Sequence, residues 1–247
     1  SYGGMSKMAN KAYKFRIYPN VEQQILFAKT FGCVRFIYNR MLFDKIEYYK
    51  ETGKMLITTP AQYKEEYDWL KEVDSLALAN AQLHLQTAYN NFFRSPKIGF
   101  PKFKSKKSNH KSYTTNFVNG NIVVQNNMIK LPKVGHVKMN QHRTIPENYI
   151  LKSVTVIQEP SGKYYASILF EYENQVPEVK LQRFIGLDFA MNGLYVDSNG
   201  NEPSYPRYLR QAESKLKREQ RKLSHMEKGS KNREKQRIIV ARLHEKV

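Results

Sequence analysis

Tyr13-Lys14-Phe15-Arg16-Ile17-Tyr18-Pro19-Asn20 is the stretch on which the fold turns. Residues 13, 15 and 17 are aromatic or aliphatic, whereas 14 and 16 are cationic. This period of two predicts a β-strand with one apolar and one polar face. Pro19 ends it by removing a backbone donor. Asn20 and Gln23 are spaced as a capping box, so a helix should run from Val21 to about Lys50. Ile25, Cys33, Ile37, Met41 and Leu42 fall near one stripe of that helix, and Gly53 marks its end.

On the C-terminal side the helical texture persists. A short helix is expected over Ala61–Glu72, after Pro60, and another from Asp74 to Arg94, stopped by Pro96. Leu78, Ala81, Leu85, Ala88 and Phe92 recur at helical spacing, leaving Asn80, His84, Thr87 and Asn91 on a different face. After Pro101 come short segments, Tyr113–Phe117, Ile122–Val124, Met128–Leu131 and His136–Lys138. Asn119-Gly120 and Asn126-Asn127 separate them, and they read as hairpins. Ile150–Gln158 and Tyr164–Tyr172 are longer strands flanking the tight turn Pro160-Ser161-Gly162. With the first strand they predict an antiparallel β-barrel interrupted by a helical insertion. Asn174–Leu181 is a polar linker. Beyond it, Phe184–Phe189 and Leu194–Val196 read as strands and Asp197-Ser198-Asn199-Gly200 as a turn. A charged helical stretch follows Pro206, with a break at Gly229-Ser230. The fold class is therefore α+β and multidomain.

Charge narrows the function. Forty-one Lys and Arg face 22 Asp and Glu in 247 residues, a net charge of +19. Residues Lys97–Arg143 hold ten Lys and Arg and no acid. Arg207–Val247 hold fourteen against five Glu, and the remainder is balanced. Charge concentrated in this way suits a polyanion, and interleaved Phe100, Phe103, Tyr113 and Phe117 argue against a disordered basic tail. Cys33 is the single cysteine, which excludes an internal disulfide and a Cys-rich zinc site in this sequence. No apolar run has the length of a membrane span and no signal peptide is recognisable, so a cytoplasmic protein without a membrane partner is expected. Ser1–Gly4, ahead of Met5, read as a cloning remnant. Oligomeric state is not legible.

Ile185-Gly186-Leu187-Asp188-Phe189-Ala190 holds one Asp at the end of an apolar strand. That placement is more often a turn former or a satisfied partner than a carboxylate offered to a hard divalent cation, and the pattern alone is a weak signal for metal. One carboxylate does not hold two metals. Asp197 is explained by its turn, Cys33 by a helical core, and the six histidines show no ligand spacing. A Ser-centred elbow, a P-loop and a GxGxxG motif are all lacking. Lys97-Ile98-Gly99-Phe100-Pro101-Lys102-Phe103-Lys104-Ser105-Lys106-Lys107 combines a cationic rail with two aromatics able to stack on unpaired bases.

These stretches occur in a recognisable order: Tyr13–Asn20, Tyr38-Asn39-Arg40, Asn91-Phe92-Phe93, Phe100-Pro101-Lys102-Phe103-Lys104, Ile185-Gly186-Leu187-Asp188, Gln220-Arg221-Lys222-Leu223-Ser224 and Gly229-Ser230-Lys231-Asn232. In this order the sequence resembles the TnpB family, transposon-encoded RNA-guided DNA endonucleases related to type V CRISPR effectors. The resemblance covers essentially the whole chain. It implies a wedge β-barrel domain (5–19 and 97–181), a helical recognition domain (20–96) and the start of a RuvC, ribonuclease-H-like α/β domain (182–247).

Guide RNA and target double-stranded DNA are the implied partners, in a prokaryotic cytoplasm and acting at the nucleoid. The implied activity is Mg²⁺-dependent double-strand cleavage beside a short motif. Asp188 matches the first catalytic, Mg²⁺-binding Asp of the family. Asn39, Asn80, His84, Thr87, Tyr113, Thr114 and Thr115 are placed nearest the motif. Lys14, Arg16, Lys102, Lys104, Lys106, Lys107, Lys111, Arg210, Lys217, Arg221, Lys222 and Lys231 are placed on RNA or DNA backbone. The family's catalytic Glu, Cys-pair zinc insert and final Asp have no match here, so zinc is expected only in an absent C-terminal part. A cleavage-incompetent guided binder, acting as a repressor or needing a second chain, stays open, as does a plain basic RNA-binding protein.

Overall fold

The structure is a computed structural model, describing residues 7–107, 110–174, 185–189, 193–203 and 208–246. Its chain forms two compact units, Ser1–Asn174 and Gln175–Val247.

In the first unit, β1 (Lys7–Tyr18) is the predicted strand, extended toward the N-terminus. Asn20 caps α1 (Val21–Thr52) as the spacing predicts: its side chain accepts from Gln23 N while the Gln23 side chain accepts from Asn20 N. Gly53 closes α1 at φ 66°, a left-handed conformation that suits glycine. Then come α2 (Pro60–Glu66), a 3₁₀ turn (Asp68–Glu72), α3 (Ser75–Arg94) and a 3₁₀ turn at Pro96–Ile98. Six strands complete the unit: β2 (Lys111–Asn116), β3 (Val123–Gln125), β4 (Met128–Leu131), β5 (Gly135–Asn140), β6 (Ile150–Gln158) and β7 (Tyr164–Asn174).

The strands make one antiparallel sheet in the order β2-β6-β7-β1-β5-β4-β3. β1 lies inside it, paired with β7 over Lys7–Ile17 and with β5 at Arg16–Tyr18. Two expectations are corrected. The sheet is an open half-barrel rather than a closed barrel, with β2 and β3 as its edges. Accordingly β2 is not part of a local hairpin: it pairs with β6, Tyr113 opposite Val156, some forty residues along the chain. Turn chemistry signals a reversal but not a partner, and β2 is claimed by a strand whose apolar row completes the core. Asn126 and Asn127 do turn β3 into β4, both at positive φ, and Gly162 (φ 84°) turns β6 into β7.

Tyr13, Phe15 and Ile17 of β1 pack with Tyr113, Val154, Val156, Ile168 and Met139 on one face of the sheet. Phe27 and Phe31, from the first half of α1, fill the hollow of that face. The second half of α1 joins a different core, in which Ile37, Met41 and Leu42 meet Leu70, Leu78 and Leu85. Ile25 departs from its expected stripe and is 54% exposed. At 100° per residue it lies nearly opposite Phe27 and Tyr38, which are the buried positions.

Asp74 fastens α3 to the sheet. One carboxylate oxygen caps the helix by accepting from Leu76 N, 3.0 Å away, and the other accepts from the Thr115 hydroxyl. Thr115 is wholly buried.

The second unit begins with a short ribbon, β8 (Leu187–Asp188) against β9 (Val196–Asp197), narrower than the two strands expected. Residues 175–184, 190–192 and 204–207, which include most of the expected linker and the start of the first of those strands, lie outside the described residues. Helices α4 (Tyr208–Ser224) and α5 (Lys231–His244) follow, separated at the predicted break. Ser230 caps α5, its hydroxyl accepting from Arg233 N at 3.1 Å. Leu216 and Val240 are buried, and Gln236 donates to the Glu219 carboxylate at 2.7 Å.

Asp74→Ala should cost about 2–4 kcal/mol in urea unfolding, because it removes a helix cap and leaves the buried Thr115 hydroxyl unpaired. Asp74→Asn keeps an acceptor oxygen for Leu76 N and turns an NH2 donor toward the Thr115 hydroxyl oxygen, so it should cost less; equal losses in the two variants would contradict this dual role.

Candidate nucleic-acid interface

Each residue of Tyr38-Asn39-Arg40 has a separate task. Asn39 grips the backbone of Lys104 from both sides: its Nδ2 donates to Lys104 O at 2.9 Å, and Lys104 N donates to Asn39 Oδ1 at 2.7 Å. Tyr38 underlies the same residue, with the Lys104 ammonium 4.2 Å from its ring centroid. Arg40 pairs with Asp44 at 3.2 Å, and Asp44 accepts from Tyr63 at 2.7 Å. Desolvation holds the Lys104 ammonium below its ordinary pKa. His84 is lowered too, first by burial and then by the charge of Lys104. Asn39, His84 and Lys104 therefore form one group.

The rest of the rail is anchored by aromatics. Phe100 stands edge-on to Tyr89 (5.5 Å, 90°) and Phe92 (5.4 Å, 80°), and Pro101 is buried. That packs the Phe100 ring edge-on against α3 while leaving the residue 44% exposed. Phe103 is 54% exposed, so its ring is open to a base. Lys102, Lys106 and Lys107 are exposed.

The other residues placed nearest a DNA motif divide by exposure. Asn80 is buried and ties α3 to β2, donating to Leu76 O and to the Asn116 side chain. Tyr113 packs between Phe27 and Phe31, and its hydroxyl pKa is pushed upward by burial and then by the charge of Asp74. With Thr115 on Asp74, these three face inward. His84 reaches the surface with its ring partly desolvated, and Thr87 is exposed, although the Thr87 hydroxyl donates to Leu83 O at 2.9 Å. Thr114 points to the opposite face of the sheet, its hydroxyl 2.8 Å from that of Thr155.

That outer face is cationic. Lys14 bonds Glu159 at 2.9 Å and lies 4.6 Å from the Tyr165 ring centroid. The Arg16 guanidinium sits between Tyr18 (5.2 Å) and Tyr165 (5.5 Å). The register makes a continuous cross-strand row of Thr114, Thr155, Ser167 and Lys14. Lys111, at the start of β2, is exposed. In the second unit Arg210, Lys217, Arg221, Lys222 and Lys231 are all exposed on α4 and α5. Spacing did not single out Arg35, Tyr18 or Tyr165; Arg35 lies one helical turn before Asn39, so the i, i+4 relation offered a signal.

Asp188 is exposed on the β8–β9 ribbon, opposite Val196. Among the described residues no three His, Cys, Asp or Glu side chains are grouped to hold a metal ion. The described donors therefore do not by themselves fit a Mg²⁺ centre, and Asp188 is a single ligand at most. Asp197 serves its turn as expected. Its carboxylate accepts from Asn201 Nδ2 (2.7 Å), Asn201 N and Asn199 N (2.9 Å each), and these bonds lower its pKa.

A half-barrel that turns Lys14 and Arg16 to its outer face, joined to helices that pin an acid-free basic loop, is a surface electrostatically suited to a polyanion. Comparison with known proteins gives the family. Residues 5–54 match the OrfB_IS605 helix-turn-helix domain, and residues 167–247 match the OrfB_IS605 domain described as a probable transposase. Within the first match the described structure is one strand and one unbroken helix, with no second helix.

The chain is 31% identical to a Streptomyces pristinaespiralis protein over 98% of its own length and 61% of the relative's. It is also 31% identical to InsQ of Escherichia coli K12, over 95% and 58%. Both relatives carry the provisional name of RNA-guided DNA endonuclease. The virulence protein VsdF of Salmonella dublin is 36% identical over 39% of this chain and 93% of its own. A cryo-EM structure of Cas12f1 with single-guide RNA and target DNA is similar at a TM-score of 0.48 and 11% identity, covering 97% of this chain and 76% of that one. The chain belongs to the OrfB family of IS605-type elements, the TnpB family. It spans about three-fifths of the length of the first two relatives. Among the described residues no helix is long and apolar enough to cross a membrane.

Asn39→Ala should free the Lys104 segment without removing charge. Proteolytic nicking within 101–107 should increase and RNA affinity should fall, while the salt slope of binding stays unchanged; a changed slope would make Asn39 more than a clip. His84 titrates lower folded than its ordinary 6.5, so the unfolded chain takes up its proton first. Stability should therefore decline as pH falls below about 6.5, and His84→Gln should flatten that decline in thermal unfolding. An identical profile in the variant would assign the pH dependence elsewhere.

Proposed function

We propose that this chain is the RNA- and DNA-holding part of an RNA-guided DNA endonuclease. The observation that carries the reading is the acid-free rail 97–107, presented by Asn39, Tyr38 and Phe100 as a fixed loop. A plain polybasic tail needs no such clip. The names of the two long relatives point the same way.

In this reading residues 20–96 form the recognition part, 5–19 with 97–181 the wedge, and 182–247 the start of the nuclease domain. Lys102, Lys104, Lys106, Lys107 and Lys111 hold phosphates, while Phe103 stacks on an unpaired base. His84, Thr87 and Thr114 offer polar atoms to a duplex; Asn39, Asn80, Tyr113 and Thr115 position their neighbours. Lys14 and Arg16 present charge from the sheet, and Arg210, Lys217, Arg221, Lys222 and Lys231 form a second cationic surface.

Asp188 would contribute one carboxylate to a divalent-metal centre whose other ligands are not among the described residues, so no chemical step is derived through it. The chain's own work is to bind a guide RNA, recognise a short flanking motif and hold the opened duplex.

Sequencing nucleic acid recovered with the protein tests this directly. One RNA of defined length is expected, and protein loaded with it should bind a matching duplex and reject a scrambled one; a random smear of RNA would sink the reading. Placed in a chain of the relatives' full length, Asp188→Ala should abolish cutting and leave guided binding intact. Persisting cleavage would remove Asp188 from the active site.

A further inference from the structure

Between α1 and the start of β2 lies a pocket of about 320 Å³. Arg35, Lys104, His110 and Lys111 line it together with the hydroxyls of Ser105 and Ser112, over a floor of Phe31 and Val34. No carboxylate is among these residues. Arg35, Lys104 and Lys111 make no ion pair among the described residues, and Lys104 is packed on the Tyr38 ring rather than on an acid.

Three cationic residues and a histidine line one pocket with no acid among them, and the protein fixes their backbones there. Arg35 rises from half-buried α1. Lys104 is held at its backbone by Asn39, and Lys111 is locked into the sheet opposite Gln158. An anion that enters such a lining meets cationic groups and no carboxylate, so its Coulomb interactions with the wall are attractive. Planar guanidinium donors, point-charge ammonium groups and hydroxyls are the usual complement of a tetrahedral oxyanion. The pocket is too large for a lone water, which takes about 30 Å³, and its rim is continuous with the exposed lysines of the rail.

We propose that this pocket is a phosphate seat that captures one phosphodiester group of a bound nucleic-acid backbone and so fixes the register of the strand lying along the rail. This rests on the nucleic-acid reading above and adds a discrete site to it. The exposed lysines Lys102, Lys106 and Lys107 attract phosphates at any position along a strand, whereas a walled pocket takes one. The strand is either the RNA or the DNA, and the shared chemistry is the phosphodiester.

Titration with inorganic phosphate, followed by ³¹P NMR, tests the seat without any guide. Wild-type protein should show saturable binding that weakens at least tenfold in Arg35→Gln and in Lys111→Gln. Lys111 is an exposed edge-strand residue, so its variant keeps the test valid if Arg35→Gln unfolds. The salt dependence of affinity for the copurified RNA and for matching duplex is then measured on the same variants. The slope should drop by about 0.7 in the single-strand arm or about 0.9 in the duplex arm, and the arm that changes identifies the strand. Phosphate binding that survives both substitutions, or slopes unchanged in both arms, overturns the seat while leaving guided binding standing. Absence of any guided binding, with phosphate binding intact, overturns the nucleic-acid reading instead.

Discussion

The alternation of β1 constrains everything around it. Tyr13, Phe15 and Ile17 must be covered, and the sheet closes over them from both sides, β7 along the length of the strand and β5 at its end. Phe27 and Phe31 cover them from the helical side. Because the period is two, the same strand necessarily turns Lys14 and Arg16 to the other face. There, Tyr18 and Tyr165 receive the cations on their rings. Core and cationic surface are thus one feature of one strand, and slipping its register by one residue would bury two charges and expose three apolar side chains.

Local signals reported what local physics decides. Asn20–Gln23, Gly53, Asn126-Asn127, Gly162 and Ser230 mark caps and turns whose partners lie within a few residues, and each stands where its chemistry requires. The pairing of β2 with β6 was not legible, because Tyr113 is drawn to Val156 by burial across the three intervening strands and nothing local encodes that. Closure of the barrel failed for a related reason: strand count and alternation do not say whether the two edges meet. In the candidate site, charge placement was legible and side-chain direction was not. Asn80 belongs to the polar face of α3 by spacing, yet that face meets the edge of the sheet at Asn116, where an amide finds a partner more readily than a solvent contact.

Asn39 illustrates the same limit with a different outcome. Its place beside Tyr38 and Arg40 marks it as special, and an amide in a nucleic-acid-binding chain invites a base-reading role. Both its donor and its acceptor are spent on the Lys104 backbone. What it contributes is order. A free eleven-residue loop of five lysines would lose conformational entropy on binding a phosphate chain, whereas a clipped loop has lost part of it already on folding.

The long helix α1 carries that order between the two cores. At 1.5 Å per residue its 32 residues extend about 48 Å, of which the stretch from Phe27 in the hollow of the sheet to Met41 among the helices takes about 21 Å. A helix broken into two would let the helical core tilt against the sheet. An unbroken one holds Arg35, Tyr38 and Asn39 at fixed heights between the cores, and those are the residues that face the basic loop. The geometry of the loop therefore depends on helical continuity through Gly32, the twelfth residue of α1. There the backbone stays helical although glycine weakens it, because Phe31 and Cys33 on either side are both buried.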